Sequence, residues 1–256
     1  IDYKLAENDG KNNLHSGPDV YQKRMWKVIE NGDDHVTFLL HSPDGDQGYP
    51  GALDMKVTYT LDEENGLTIH YEAVPDQDTV INMTNHSYFN LNGHKSGSVL
   101  HHRMQLLSDA FTPADAQSIP TGEICPVDGT PMDFRSTKEL GAEIDAAYEP
   151  LILGNGYDHN WVLKNEGRFD KVAEVTGDES GIVMEVWTDR PGVQVYTANF
   201  LENEAGRNGA VYQKRDAVCL ETQNYPDAVH QKNFPEAICK KGETYDTKTA
   251  YRFHIE

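Results

Sequence analysis

Polar and apolar positions alternate with the period of two that marks strands along most of this chain. Val36 to Leu40, Leu53 to Leu61, Leu67 to Val74, Ile81 to Leu91, Ile182 to Thr188, Val193 to Phe200 and Ala217 to Gln223 all read as strands, punctuated by Gly, Asp, Asn and Pro at turn positions. The runs Leu53 to Leu61 and Leu67 to Val74 flank D-E-E-N-G, a short connection that predicts a hairpin. Helical periodicity is scarce. Ser136 with Glu139 forms a capping box ahead of a short helical turn over Lys138 to Ile144. No internal repeat, low-complexity tract or linker is seen, and Phe111 to Asp133 is too long for a plain turn, as functional loops often are. The pattern predicts an all-β chain, a large antiparallel β-sandwich forming one domain over residues 1–256, with one concave polar face.

Two of these strands carry unusual side chains. In I-N-M-T-N-H-S-Y-F-N-L, alternation places Asn82, Thr84, His86, Tyr88 and Asn90 on one side and Ile81, Met83, Phe89 and Leu91 on the other, with Asn85 and Ser87 breaking the pattern. A solvated strand face favours Lys, Glu and Thr. This one offers an imidazole among amides, a hydroxyl and a phenol, which suits a polyol. In A-V-C-L-E-T-Q, Glu221 and Gln223 share a face while Val218, Leu220 and Thr222 point away. A glutamate in an otherwise apolar strand sits in a cleft, pairs with a cation, or has its proton affinity raised by desolvation. His86 as acid and Glu221 as base, on two strands of one sheet, form a coherent pair for proton transfer.

The bulk properties narrow the partners. The 42 acidic residues against 22 Lys and Arg give a net charge of −20, a field that repels phosphate backbones and anionic lipid but not a neutral small molecule. Nucleic-acid and membrane-surface roles are therefore disfavoured. Cys125, Cys219 and Cys239 are too few and scattered for a disulfide framework or zinc ribbon, and Cys219 falls on the Glu221 face. No metal site is expected despite 11 histidines: no H-E-x-x-H occurs, and adjacent His101 and His102 would face opposite sides of a strand. No nucleotide-binding glycine loop is present, and no apolar run of roughly 18 residues suggests a membrane span. A cytoplasmic location is expected.

Six blocks, in order along the chain, together carry a family resemblance: L-H-S-G at Leu14 to Gly17, N-H-S-Y-F-N-L at Asn85 to Leu91, D-A-F-T-P-A-D at Asp109 to Asp115, Y-D-H-N at Tyr157 to Asn160, G-V-Q-V-Y-T at Gly192 to Thr197 and L-E-T-Q-N-Y-P-D-A at Leu220 to Ala228. The sequence resembles the aldose 1-epimerase (galactose mutarotase) family. That resemblance implies the supersandwich of the family and interconversion of the α and β anomers of free aldoses, with no cofactor. It implies Glu221 as catalytic base, His86 as catalytic acid, Asp158 and Gln194 as hydroxyl-binding residues, and His15 as an additional substrate-binding histidine. Taken alone, Asp158 beside Gly156 also suits a turn cap, Gln194 a sheet backbone group, and His15 a surface loop. Ser16 stands where the family more often has a second glycine, which bears on the backbone of that loop.

The resemblance also implies leading strands, with a sugar-contacting arginine, outside this sequence. An exposed edge left by them is expected to be covered by self-association or a second chain, or to leave activity weak. Two other functions fit less of the pattern. A non-catalytic carbohydrate-binding module would not need both His86 and Glu221, and a hexose 6-phosphate epimerase would want a cationic cluster, for which the blocks offer nothing beyond Arg190, just ahead of Gly192.

Overall fold

The computed structural model describes residues 2–256. Strands dominate, in the order β1 (Lys27–Asn31), β2 (His35–Ser42), β3 (Leu53–Leu61), β4 (Gly66–Pro75), β5 (Thr79–Val80), β6 (Arg103–Leu106), β7 (Ala110–Thr112), β8 (Cys125–Pro126) and β9 (Lys138–Glu139). After the helix α1 (Glu149–Leu153) come β10 (Asp158–Val162), β11 (Asp170–Thr176), β12 (Ile182–Thr188), β13 (Gly192–Tyr196), β14 (Glu204–Ala205), β15 (Val211–Tyr212), β16 (Cys219–Gln223), β17 (Ile238–Cys239) and β18 (Tyr245–Ile255). The chain gathers into two compact units. The first comprises the chain up to Asp62, Leu67–Asn82 and Ala237–Lys248; the second comprises Glu63–Gly66, Met83–Glu236 and Thr249–Glu256.

In the first unit β1, β2, β3 and β4 follow one another as an antiparallel meander. The expected hairpin is present, with β3 and β4 in register from Leu53 opposite Pro75 to Leu61 opposite Leu67. The left-handed residue of its turn is Asn65 (φ 62°), a residue type that tolerates this region. Met55, Ile69, Tyr71 and Ala73 are buried, and register puts them on one face.

The second unit is a two-layer sandwich. One layer runs β18–β12–β11–β6–β9, the other β16–β13–β10–β7–β8. Directly opposed residues on antiparallel strands share a face, so Leu220, Val195 and His159 line up, as do Thr222, Val193 and Trp161. These six are buried. The other layer contributes Met104, Leu106, Val175, Met184, Val186 and Tyr251 to the core. Two polar links tie the layers: Thr222 Oγ1 meets Thr249 Oγ1 at 2.5 Å, and the Tyr251 hydroxyl donates to the Leu220 carbonyl at 3.0 Å. Each large apolar side chain enclosed in this way contributes about 1.5–3 kcal/mol.

Several local expectations change. Ile81 to Leu91 is not a ladder strand; its one sheet-like contact is the antiparallel bridge between Phe89 and Val218. Its amides occupy the backbone instead, since Asn90 Nδ2 donates to the carbonyls of Gly97 and Asp216. Asn side chains compete with ladder hydrogen bonds in this manner. Val193 to Phe200 leaves the sheet at Tyr196, where Ala198 takes a positive φ of 50°. The turn expected over Lys138 to Ile144 opens as the two-residue strand β9, paired with β6, and continues as turn from Leu140; the α-helix lies at α1, with Pro150 in its first turn, where proline is tolerated. Phe111 to Asp133 is likewise no open loop, because β7 and β8 pair within it.

Candidate active site

The site grows from the outer face of the five-stranded sheet. With the apolar residues of β16, β13 and β10 turned into the core, the intervening residues share the other side. Register sets Glu221 beside Gln194 and Gln194 beside Asn160, and next to this row Cys219 beside Tyr196 and Tyr196 beside Asp158. A third row begins with Gln223 beside Gly192. Glycine has a steric reason here, because a Cβ on Gly192 would come 2.2 Å from Asn160 Oδ1 and 2.8 Å from the Tyr225 ring. Gln194 Nε2 donates to Asp158 Oδ1 at 2.8 Å, locking two site residues together across neighbouring strands.

His86 arrives from the segment bridged to the β16 edge of this sheet, and the segment is tied down on both sides of it. Phe89 and Val218 exchange two backbone hydrogen bonds of 2.9 Å. The Tyr251 hydroxyl also lies 2.9 Å from Asn85 Oδ1, so its one proton is shared between that oxygen and the Leu220 carbonyl. At the far end the Leu91 N–H donates to Nε2 of the buried His102, whose Nδ1 faces Asp178 at 3.0 Å. These anchors bring His86 Nε2 to 3.5 Å from Glu221 Oε1. Tyr88 stacks on the imidazole with ring centroids 4.9 Å apart and planes at 16°, and Tyr196 meets it edge-on at 5.8 Å. The two aromatic contacts fix the plane of the ring. His86 and Tyr88 thus share a side, as alternation suggests, although no ladder holds them there.

The electrostatics of the pair follow from burial. The Glu221 side chain is only 9% exposed, against 32% for His86. Desolvation, with the nearby charge of Asp158 as the second cause, pushes the Glu221 carboxyl up to about 8. Burial also raises Asp158, to about 6, against the opposing hydrogen bond from Gln194. The same burial, reinforced by these carboxylates, pushes the Cys219 thiol and the Tyr88 phenol well above their ordinary values. A carboxylate whose proton affinity lies near neutrality, in contact with an imidazole, has the means to pass a proton in either direction.

Four of the five residues singled out from the sequence therefore meet in the second unit: His86, Glu221, Asp158 and Gln194. His15 lies in the first unit, in a turn where His15, Ser16 and Gly17 all have positive φ, at 51°, 72° and 110°. Ser16 thus occupies backbone space that favours glycine, which gives the serine-for-glycine difference a physical meaning. Tyr196, Asn160 and Gly192 were not among the residues singled out. Gln194 and Asp158 entered through the family blocks, and the pairing of the strands that carry them puts Tyr196, Asn160 and Gly192 on the same face. A ring nitrogen of His86, Cys219 Sγ and a Glu221 oxygen lie within 4.8 Å of one another, a donor set able to receive a metal ion. The sequence offers no ligand spacing for it, because the histidine is remote in the chain.

The family profile for aldose 1-epimerase matches residues 1–252. The chain belongs to the aldose 1-epimerase family. It is 45% identical to the galactose mutarotase of Sus scrofa over 99% of this chain and 72% of that relative. It is 37% identical to the aldose 1-epimerase of Escherichia coli K12, over 98% of this chain and 73% of that protein. Among solved structures, an aldose epimerase homologue from C. elegans superposes with a TM-score of 0.90 at 29% identity, covering 99% of this chain and 75% of that one. The antiparallel β-sandwich is thus the fold of the family, and this member is an isomerase by its relatives. No helix among the described residues is long and apolar enough to cross a membrane.

Proposed function

We propose that this chain interconverts the α and β anomers of free aldohexoses such as galactose and glucose, with Glu221 as base and His86 as acid. The observation that supports this most is the 3.5 Å contact between His86 Nε2 and a buried Glu221. Ring opening removes the proton from the C1 hydroxyl oxygen, breaks the bond from C1 to the ring oxygen, and protonates that oxygen as the C1 carbonyl forms. The two oxygens are bonded to the same carbon. An acid and a base that serve them must be close neighbours, and the contact between His86 and Glu221 suits that need.

In the forward step Glu221 takes the C1 hydroxyl proton and the imidazolium of His86 gives its proton to the ring oxygen. Rotation about the C1–C2 bond then presents the other carbonyl face. For closure the neutral imidazole recovers a proton from the hydroxyl that attacks, and Glu221 returns its own to the carbonyl oxygen. The pair begins and ends with one proton between its two groups, so no metal or organic cofactor is needed to balance the cycle. Asp158, braced by Gln194, accepts hydrogen bonds from sugar hydroxyls, and Gln194 supplies its amide at the same face. His15 enters this reading through the L-H-S-G block alone.

A neutral sugar fits the site better than a sugar phosphate. Arg190, two residues ahead of the G-V-Q-V-Y-T block, is engaged by Asp189 at 3.1 Å and donates to Asn224 Oδ1 at 3.5 Å. Freshly dissolved α-D-galactose and galactose 6-phosphate should be compared by following proton signals of the two anomers. Enzyme-dependent equilibration of galactose but not of its phosphate is expected. Acceleration of the phosphate alone would replace this reading with the sugar-phosphate one, and acceleration of neither would favour simple carbohydrate binding.

A further inference from the structure

The proton cycle has no use for the Cys219 thiol, yet the thiol stands beside both groups that carry the cycle. Its sulfur, a ring nitrogen of His86 and an oxygen of Glu221 lie within 4.8 Å of one another. A tetrahedral ion with bonds of about 2.0–2.3 Å to such ligands holds them roughly 3.3–3.8 Å apart. The His86 and Glu221 atoms, at 3.5 Å, already have that spacing. Cys219 and Glu221 are two residues apart on β16 and point the same way, so the strand holds their separation nearly fixed. His86, the third donor, comes from a segment outside the ladders with its side chain partly exposed.

The chemistry of the donors selects the ion. A thiolate, an imidazole and a carboxylate suit zinc or cadmium, whereas magnesium and calcium prefer oxygen ligands throughout. Burial keeps a proton on the thiol, and the neighbouring carboxylates of Glu221 and Asp158, which reinforce this, also attract a divalent cation to the same place. We infer that Cys219, His86 and Glu221 form a binding site for a soft divalent cation such as Zn2+ or Cd2+, and that its occupation blocks anomerisation. Coordination releases the Cys219 proton to solvent, and it removes the imidazole lone pair and the carboxylate from proton transfer. Only the inhibitory consequence rests on the proposed function; binding does not.

The test uses the full chain freed of metal by chelation. One equivalent of Cd2+ should produce the ultraviolet absorption band of a cadmium thiolate, and this band should survive Cys125→Ser and Cys239→Ser but vanish in Cys219→Ser. Zn2+ should suppress anomerisation in competition with aldose and chelator should restore it, whereas Mg2+ has no effect. In Cys219→Ser the apparent affinity for Zn2+, scaled to that variant's own metal-free rate, should fall by about tenfold or more. Cys219→Ala repeats the comparison should the serine variant fail to fold, as judged by circular dichroism. A folded wild-type chain with no cadmium band, or a band or zinc inhibition unchanged by loss of Cys219, would overturn the inference. Because the band is read without turnover, a chain that bound cadmium but lacked anomerase activity would count against the proposed function and leave the site standing.

Discussion

Glu221 is held in the folded chain at some expense to stability. Its carboxyl and that of Asp158 titrate at about 8 and about 6, above their ordinary 4.5 and 3.8. Between the ordinary and the raised values the folded state holds protons that the unfolded chain has released, so stability falls as pH rises through that window. Glu221→Gln keeps the shape without the charge and is expected to stabilise the fold by roughly 1–4 kcal/mol at about pH 8.5, with little effect near pH 4. Chemical denaturation at the two pH values reads this directly, and equal shifts at both would contradict the assignment of the burden to a buried charge. A second expectation concerns the rate. Activity requires one proton on the His86–Glu221 pair, so its pH profile should be bell-shaped, with the alkaline limb set by loss of that proton. The Asp158 anion helps to raise Glu221. Asp158→Asn should therefore move the alkaline limb to lower pH while also weakening aldose binding; an unmoved or upward-shifted limb would count against the coupling. Glu221 was legible because a lone acid in an apolar strand has few explanations. Its partnership with Asp158 was not, because nothing local in Y-D-H-N indicates which strands will lie side by side.

At the scale of elements, the strands with clear alternation were legible and those without it were not. Leu53–Leu61 and Ile182–Thr188 have in the structure the bounds that their pattern suggests. Asp158–Val162 escaped because its three central residues are all buried, a continuous run that alternation does not report. Ile81 to Leu91 misled in the other direction, alternating well but trading ladder bonds for amide contacts. The segment nonetheless brings His86 Nε2 to 3.5 Å from Glu221 Oε1. The sheet side depends on Gly192, whose missing Cβ leaves room for Asn160 and the Tyr225 ring. Gly192→Ala is expected to destabilise by about 1–3 kcal/mol through overpacking and to raise KM, since Gln194 is only two residues along the same strand. Thermal unfolding and initial rates on the same preparation check it, and an alanine variant with wild-type Tm and KM would show that the neighbours give way freely.

At the scale of the whole chain, fold class and family were legible because they rest on many weak signals that agree: short strands, turn residues and six ordered blocks. The division into two compact units was not, because strand β18 runs from one into the other and no linker marks the boundary. The net charge of −20 gives a further expectation. A neutral aldose feels no long-range steering, so kcat/KM should stay nearly constant as salt rises from low to physiological concentration and the Debye length shortens to about 8 Å. A steep salt dependence would point to a charged substrate. The most direct test of the central claim is polarimetry of freshly dissolved α-D-galactose with the wild-type chain and with Glu221→Gln, each verified as folded. The wild-type chain should accelerate the approach to the equilibrium rotation, and the variant should lose about 10²–10⁴ of that acceleration. A glutamine variant that equilibrates the sugar as fast as the wild type would show that Glu221 is not the base.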